Sequence, residues 1–301
     1  MKLRFVTVDV FTNRRFGGNP LAVVLNPKDL ETAQMQQIAS EFNLSETTFV
    51  LPPRDLKHTA EVRIFTPRAE IPFAGHPNIG TAFVLARLGE IYGRAVGDTL
   101  SFEEQAGLVT VEIQREGDAA TGARLTAPQD FTRGPELPAH VVAACCSLNS
   151  EDINSEHHAP CIASAGLPFV FAELTSRTRL AAATPQTHVM ADHVPMNLAG
   201  GIYLYTRAEE SEIDYQARMF APLHGITEDP ATGSANVAAI GLLAALHPES
   251  DIRLTKTISQ GVDMGRPSLL VTEAEKRDRR VIATHISGSC VSMTEGTLNL
   301  G

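Results

Sequence analysis

The chain has 301 residues, of which 43% are hydrophobic and 20% charged, and its formal net charge is −10. This composition predicts a packed globular protein of one large or two ordinary domains and argues against a disordered chain. The acidic balance argues against nucleic acid or an anionic membrane as the main partner, although a small anion can still bind where the local charge is opposite.

Strand-like segments dominate the chain. They are rich in β-branched and aromatic residues and are bounded by Gly, Pro or Asn. The predicted strands cover residues 3–11, 21–25, 47–51, 60–66, 108–114, 169–174, 201–207, 268–272 and 281–286. An amphipathic helix is predicted at residues 29–43, where Leu30, Ala33, Ile38 and Phe42 recur at near-helical spacing.

Two further predicted helices are apolar around nearly their whole circumference. They are HPNIGTAFVLARLG, from His76, and DPATGSANVAAIGLLAALHP, from Asp229. Such helices are buried on all sides, and both are too short to span a bilayer. Because strands dominate the rest, we expect a sheet curled around each helix. The charged, Gly- and Pro-punctuated residues 112–134 could hold the crossing between domains.

The starts of these two helices resemble each other. Pro, Gly, a hydroxyl residue and Ala occupy the same offsets in HPNIGTA and DPATGSA, which lie 153 residues apart. We therefore predict two structurally similar halves. In this alignment His76 and Asp229 are the N-caps, and Pro77 and Pro230 take the first helical position.

The predicted helix starts suit a small anion. Free amides and the helix dipole favour negative charge there, and two starts facing each other across a cleft would hold a carboxylate. Gly80 and Gly233 indicate close approach of a backbone or a ligand, because each costs about 1 kcal/mol relative to Ala. Thr232 and Ser234 add hydroxyl donors. The alternative is that both starts are plain helix caps.

Other site classes lack support in the sequence. The four cysteines, at positions 145, 146, 161 and 290, have no CxxC spacing and are expected to be free thiols. EHHAP, at residues 156–160, has adjacent histidines that rarely serve one metal ion, so no metal is expected. FGGNP, at residues 16–20, is too short for a dinucleotide fingerprint. No stretch of about 18 apolar residues and no apolar leader occurs, and a cytoplasmic location is expected.

Five segments resemble, in order, the phenazine-biosynthesis PhzF-like family, which shares the diaminopimelate epimerase fold. They are DVFTNRRFGGNPLAVV (9–24), LSETTFV (44–50), RIFTPRAEIPFAGHPNIGTA (63–82), DPATGSAN (229–236) and QGVDMGRPS (260–268). The resemblance implies an α+β protein of two similar domains, each a barrel-like, mostly antiparallel sheet around a central buried helix. We expect residues 1–117 with 287–301 in one domain and residues 118–286 in the other, with the active site in the cleft between them.

The resemblance also implies a cofactor-free isomerase, usually a homodimer. The best-known member acts on a dihydro-hydroxyanthranilate and moves a proton with a glutamate. That glutamate follows a serine in the motif matched by Ser45 and Glu46, so the catalytic role falls to Glu46. His76 and Asp229 correspond to the motif histidine and aspartate.

The expected substrate-binding residues are Ser45, Gly75, Gly233, Ser234 and Asn19. Racemase and epimerase relatives use two cysteines, one near each helix start, and this chain has none there. A two-thiol mechanism is therefore disfavoured, and a carboxylate-driven proton transfer remains. Substrate identity stays open.

The proposed chemistry has a simpler alternative at each residue. Burial would raise the pKa of Glu46 towards neutral pH, which suits a general base, whereas a surface glutamate at a strand start would have no such role. At a helix start the dipole disfavours imidazolium, so we expect a neutral His76 that shuttles a proton or orients substrate. Asp229 accepts from the substrate, holds another group, or only caps. Arg266 lies near a substrate carboxylate or simply in a turn.

Two other functions stay open. A non-catalytic small-anion binding protein would keep the same pocket. A serine hydrolase built on Ser45 or Ser234 is disfavoured, because neither residue lies in a G-x-S-x-G elbow.

Overall fold

The computed structural model describes residues 2–300, which form two compact units. The first runs up to Pro128 and resumes at Ser287, and the second is Gln129–Ile286. We expected the first crossing at residue 117. It comes later because the strand Ala119–Thr126 pairs antiparallel with Gly107–Glu116 and stays in the first unit. Within residues 2–300, no helix combines the length and apolarity that a membrane span requires.

Five of the ten strands of the first unit were predicted, namely those at residues 3–11, 21–25, 47–51, 60–66 and 108–114. Its strands are β1 (Lys2–Val10), β2 (Asn19–Leu25), β3 (Glu46–Leu51), β4 (Ala60–Phe65), β5 (Glu70–Ile71), β6 (Glu90–Ile91), β7 (Arg94–Ala95), β8 (Thr99–Glu104), β9 (Gly107–Glu116) and β10 (Ala119–Thr126), and its helices are α1 (Thr32–Phe42) and α2 (Gly75–Leu88). The amphipathic helix predicted at residues 29–43 is confirmed as α1, which packs its buried side chains against β3 and β4.

The second unit has more helices than the sequence predicted. Its strands are β11 (Thr132–Glu136), β12 (Ile153–Asn154), β13 (Cys161–Ser164), β14 (Pro168–Leu174), β15 (Ile202–Arg207), β16 (Tyr215–Ala221), β17 (Ile226–Asp229), β18 (Ile252–Gln260) and β19 (Ser268–Arg277). Its helices are α3 (Ala139–Cys145), α4 (Arg177–Ala182), α5 (Thr187–His193) and α6 (Gly233–Leu246), with 3₁₀ turns at Ser150–Asp152 and Pro222–His224. The last strand, β20 (Arg280–Asn299), begins in the second unit and ends in the first.

Each unit wraps a sheet around one buried helix, as predicted. In the first unit β1, β2, β3, β4, β8, β9, β10 and β20 pair in that order, and β20 pairs with β1 to close the ring. α2 contacts β1, β2, β3, β9 and β10, and its first twelve residues are buried. In the second unit α6 contacts β13, β14, β18 and β19 and is buried over most of its length.

The two units repeat one strand-pairing pattern. From β1 through β2, β3, β4 and β8 to β9, successive pairs are antiparallel, parallel, antiparallel, parallel and antiparallel. From β13 through β14, β15, β16 and β18 to β19, the pairs follow the same order. The central helix lies between the fourth and fifth strands of this series in both units. The prediction of two similar halves is confirmed.

The register of the repeat differs from the one that we predicted. α2 and α6 each have 14 residues and begin at Gly75 and Gly233. Matching these starts pairs His76 with Ser234 rather than with Asp229. Asn78 Nδ2 donates to the backbone oxygen four residues earlier at 3.0 Å, and Asn236 Nδ2 does the same at 2.9 Å. These equivalent bonds fix the true alignment.

The predicted capping roles are therefore wrong. The N-cap residues are Ala74 and Thr232. Asp229, the last residue of β17, pairs with Met219 of β16 and is therefore extended. α6 begins only after the chain leaves the sheet. α2 begins earlier, with Pro77 at its third position, where its missing N–H costs nothing because the first four amides of a helix have no intrahelical partner.

Gly80 marks where α2 comes close to the sheet. A Cβ atom at this position would lie 2.6 Å from Leu21 Cδ2 and 2.7 Å from Val10 Cγ2. The close approach predicted for Gly80 is thus to side chains of β1 and β2. The neighbouring Ile79 and Phe83 are at most 2% exposed, and burying each such side chain contributes about 1.5–3 kcal/mol.

Gly80→Ala should lower the free energy of unfolding by about 1–2 kcal/mol, because overpacking outweighs the gain in helix propensity. Denaturant unfolding measures this change. Gly97→Ala is the control, since nothing lies within 4 Å of a Cβ there. Equal stability of the two variants would contradict the close packing of α2 against the strands.

Candidate active site

One edge of the ring in the first unit carries three of the predicted site residues. β2 and β3 are parallel neighbours, so their first residues, Asn19 and Glu46, lie at the same edge. His76 is the second residue of α2. All three are at least nine-tenths buried, which makes this a polar cluster inside an apolar ring.

Glu46 and His76 are in direct contact. Glu46 Oε2 lies 3.2 Å from His76 Nε2, although the angles at this contact fall outside those of a good hydrogen bond. Asn19 Nδ2 lies 3.3 Å from His76 Nδ1. The imidazole ring therefore has an amide on one side and a carboxyl on the other.

The amide indicates the protonation state of the ring. An Asn NH₂ group can only donate, so His76 Nδ1 must accept from Asn19 Nδ2. A neutral imidazole then carries its single proton on Nε2, which faces Glu46. This arrangement lets His76 donate towards the carboxyl or towards a molecule bound beside it.

Burial keeps His76 neutral. Loss of solvation lowers the pKa of His76 from 6.5 to about 3. The sequence predicted the same direction but attributed it to the helix dipole. The dominant cause is burial, because the ring is only 3% exposed.

Two predicted binding residues flank this pair. Ser45 is half-buried directly before β3, and Gly75 is the buried first residue of α2. As the first residue of the helix, Gly75 presents its backbone N–H without an intrahelical partner. Both residues lie next to the Glu46–His76 pair in the chain.

The second unit carries the other predicted residues at the start of α6. Thr232 Oγ1 donates to Asp229 Oδ2 at 2.6 Å, so the carboxyl of Asp229 is held in place by the N-cap residue. Gly233 and Ser234 are the first two residues of the helix, and both are buried. Ser234 thus has in α6 the place that His76 has in α2.

Gln260 ties this helix start to the sheet, and the sequence did not reveal it. Its Nε2 donates to the backbone oxygen of Asp229 at 2.8 Å and to Thr232 Oγ1 at 3.1 Å. Its Oε1 accepts from the backbone N–H of Thr232 at 3.2 Å and from Asn236 Nδ2 at 2.9 Å. Tyr203 completes the network by donating to Asn236 Oδ1 at 2.8 Å.

The missed residues left one signal in the sequence. Gly75 and Asn78 have the same spacing as Gly233 and Asn236, and each pair opens an apolar helix. The alignment made from the sequence instead matched four residue types, Pro, Gly, a hydroxyl residue and Ala, and so paired His76 with Asp229. Nothing local in the sequence marks Gln260 as a partner of Asn236.

The groups disfavoured from sequence have structural roles. All four cysteines are free and buried, as predicted. In the EHHAP segment, His157 Nδ1 lies 2.8 Å from Glu173 Oε2 and His158 Nε2 lies 2.6 Å from Tyr205 Oη. Among residues 2–300, Glu273, Glu275 and His285 have potential metal ligands within 4.8 Å of one another. Arg253 Nη2 lies 2.8 Å from Glu273 Oε1 and 3.9 Å from Glu275 Oε1, so an arginine pairs with both carboxyls of this group.

Comparison with known proteins identifies the class and the family. The phenazine biosynthesis-like protein family, PhzC-PhzF, matches residues 8–296. An uncharacterized isomerase of Mesorhizobium japonicum is 36% identical over 98% of both chains. The trans-2,3-dihydro-3-hydroxyanthranilate isomerase of Pseudomonas fluorescens is 34% identical over 98% of this chain and 99% of its own.

A solved structure shares the fold. The crystal structure of a PhzF-family phenazine biosynthesis protein from Bacillus anthracis superposes with a TM-score of 0.87 over 100% of both chains, at 20% identity. The diaminopimelate epimerase-like α+β fold expected from the sequence is confirmed. Fold and relatives together define an isomerase. The chain belongs to the phenazine biosynthesis-like, PhzC-PhzF family.

The buried imidazole should make stability depend on acid. In the unfolded chain His76 binds a proton below its ordinary pKa of 6.5, whereas in the folded protein its pKa is about 3 and it stays neutral down to that pH. The free energy of unfolding should therefore fall as the pH drops through this window. His76→Asn should remove up to about 3 kcal/mol of that fall between pH 6.5 and 4.

Denaturant unfolding across this pH range measures the effect. His140→Asn serves as the control, because His140 is exposed. The interpretation is wrong if His76→Asn and the wild type lose stability in parallel on acidification.

Proposed function

We propose that this isomerase moves a proton between carbon atoms of a small carboxylate-bearing substrate, with Glu46 as the acid/base group. The observation that supports this most is the buried contact between Glu46 Oε2 and His76 Nε2 at 3.2 Å. A carboxyl held beside a neutral imidazole, at the start of a helix, can take a proton from carbon and return it.

The proposed reaction needs one mobile proton. Ionised Glu46 removes a proton from a carbon next to an activating group, and the electrons of the C–H bond delocalise into the conjugated substrate. Glu46, now a carboxylic acid, exchanges its proton with solvent and then protonates a different carbon, so the enzyme ends in its starting state. His76 donates from Nε2, either to Glu46 while it is charged or to the substrate while charge develops on it.

The start of α6 in the second unit has groups suited to binding a small carboxylate. Asp229 would accept from an amine or hydroxyl of the substrate, and its contact with Thr232 supports a holding role over a proton-moving one. The first turn of a helix favours anions, so the free amides of Gly75 in α2, and separately those of Gly233 and Ser234 in α6, are each suited to a carboxylate.

The relatives suggest a first substrate to test. Trans-2,3-dihydro-3-hydroxyanthranilate appears in the name of the Pseudomonas fluorescens relative, which is 34% identical to this chain. We propose a substrate of this kind, a small carboxylate whose ring or double bond stabilises a carbanion. The homodimer and the cytoplasmic location expected from the sequence stay predictions, which analytical ultracentrifugation and cell fractionation would test.

Glu46→Gln should abolish turnover, with a loss of at least about 10³-fold in kcat, because the amide cannot accept a proton. Its thermal unfolding should stay close to that of the wild type. The measurement is conversion of trans-2,3-dihydro-3-hydroxyanthranilate, followed by a panel of small cyclic and amino-acid carboxylates.

The controls separate catalysis from binding. Glu41→Gln changes an exposed carboxyl five residues earlier and should leave activity unchanged. Asp229→Asn should weaken the thermal stabilisation that a bound carboxylate gives the wild type. Full activity of Glu46→Gln would refute the assignment, and binding without turnover of any substrate by the wild type would favour the non-catalytic alternative.

A further inference from the structure

Glu104 is a buried carboxyl that the proposed reaction does not use. It is the last residue of β8 and is only 6% exposed. Neither of its oxygens has a hydrogen bond of good geometry within residues 2–300, and the same holds for Asn78 Oδ1. Three acceptor oxygens are thus buried near the first turn of α2 with too few donors between them.

The internal repeat shows what occupies the equivalent place in the second unit. β8 pairs with β4 through Phe102 and Glu103, and β18 pairs with β16 through Ile258, Ser259 and Gln260. β8 runs parallel to β4 and ends at Glu104, one residue after Glu103. β18 runs parallel to β16 and ends at Gln260, one residue after Ser259. Glu104 is therefore the counterpart of Gln260.

The hydrogen-bond partners follow the same correspondence. Asn236 Nδ2 donates to the N-cap oxygen and to Gln260 Oε1. Asn78 Nδ2 donates to the N-cap oxygen, and its side chain is the group that contacts Glu104. A neutral carboxylic acid has the shape of a glutamine side chain, with one donor and one acceptor, whereas a carboxylate has acceptors only.

The charges near Glu104 do not compensate an ionised carboxyl. It lines a cavity of about 460 Å³ with Arg54, Asp55, His58 and Glu103. Arg54 Nε lies 3.3 Å from a carboxyl oxygen of Glu103 and His58 Nδ1 lies 2.8 Å from the other, so both side chains are paired with Glu103 rather than with Glu104. From α2 comes the amide of Asn78, and β9 adds Gly107 and Leu108 to the cavity.

Two adjacent glutamates therefore have opposite environments. Burial would raise the pKa of Glu103, but hydrogen bonds from Asp55 and Arg54 amides and from His58 lower it to about 2. Burial raises the pKa of Glu104 to about 8, against a smaller opposing effect of the Asn78 amide. Environments that separate neighbouring carboxyls in this way assign them different protonation states.

We propose that Glu104 is a neutral carboxylic acid that joins the end of β8 to the first turn of α2, as Gln260 joins β18 to α6. Through Asn78 it is a positioning residue for His76, which lies two residues earlier on the same turn. This last role rests on the proposed function, whereas the protonation state does not.

Glu104→Gln tests the proposal by replacing the acid with its neutral counterpart. The wild type holds a proton at Glu104 that the unfolded chain releases above about pH 4.5, so its stability should fall with rising pH until about pH 8. The melting temperature of Glu104→Gln should equal that of the wild type near pH 5 and exceed it by about 5 °C at pH 8. Gln260→Glu places a buried carboxyl at the equivalent position of the second unit, so its melting temperature should fall further below that of the wild type as the pH rises.

Two measurements complete the test. Infrared difference spectra at pH 6 should show the carbonyl stretch of a protonated carboxyl that Glu104→Gln lacks. Turnover at neutral pH should survive in Glu104→Gln and fall at least tenfold in Glu104→Ala, with Glu116→Gln as an exposed control.

A pH-independent difference in melting temperature, or spectra without the protonated carboxyl, would overturn the proposal. Melting and spectra do not require catalysis, so these outcomes stand even if Glu46 is not the acid/base group. Equal turnover of Glu104→Gln and Glu104→Ala would overturn the positioning role alone.

Discussion

The structure depends on giving hydrogen-bond partners to the first turn of a helix that is buried on all sides. The first four amides of any helix lack intrahelical partners, and a buried polar group without a partner costs about 1–3 kcal/mol. At the start of α6 the backbone N–H of Thr232 donates to Gln260 Oε1, and in both helices an Asn side chain at the fourth position donates to the N-cap oxygen. The remaining amides are left pointing out of the helix start, which is where a bound anion would satisfy them.

The same constraint explains how two similar units come to hold different groups. The position after the first helical glycine is His76 in one unit and Ser234 in the other, and the strand end below is Glu104 in one and Gln260 in the other. The first unit has a carboxyl, Glu46, in contact with its histidine, and in the second a carboxyl, Asp229, is held by a hydroxyl. Both units have the same buried helix start, and only the side chains around it differ. The same fold can therefore carry a proton-moving carboxyl, Glu46, in one unit and a substrate-holding carboxyl, Asp229, in the other.

The sequence predicted the architecture well and the details of the helix starts poorly. Apolar periodicity was enough for nine of the strands, for α1 and for the two buried helices, because burial dominates each of these patterns, but it missed β8, β10, β16 and β18. The repeat was found for the right reason but in the wrong register, since the segment from the end of β17 into α6 resembles the α2 start by composition alone. Gln260 and Glu104 could not be predicted, because their roles come from strand pairing between distant segments. Resemblance to the family supplied Glu46, which local sequence would have made a surface residue.

The central claim is that Glu46 moves a carbon-bound proton, and isotope exchange tests it most directly. The substrate is incubated with enzyme in deuterium oxide, and deuterium at carbon is measured by mass spectrometry or NMR. The account predicts deuterium at the newly protonated carbon with the wild type and none with Glu46→Gln. Incorporation at an undiminished rate in Glu46→Gln would contradict the account, because some other group would then be carrying the proton.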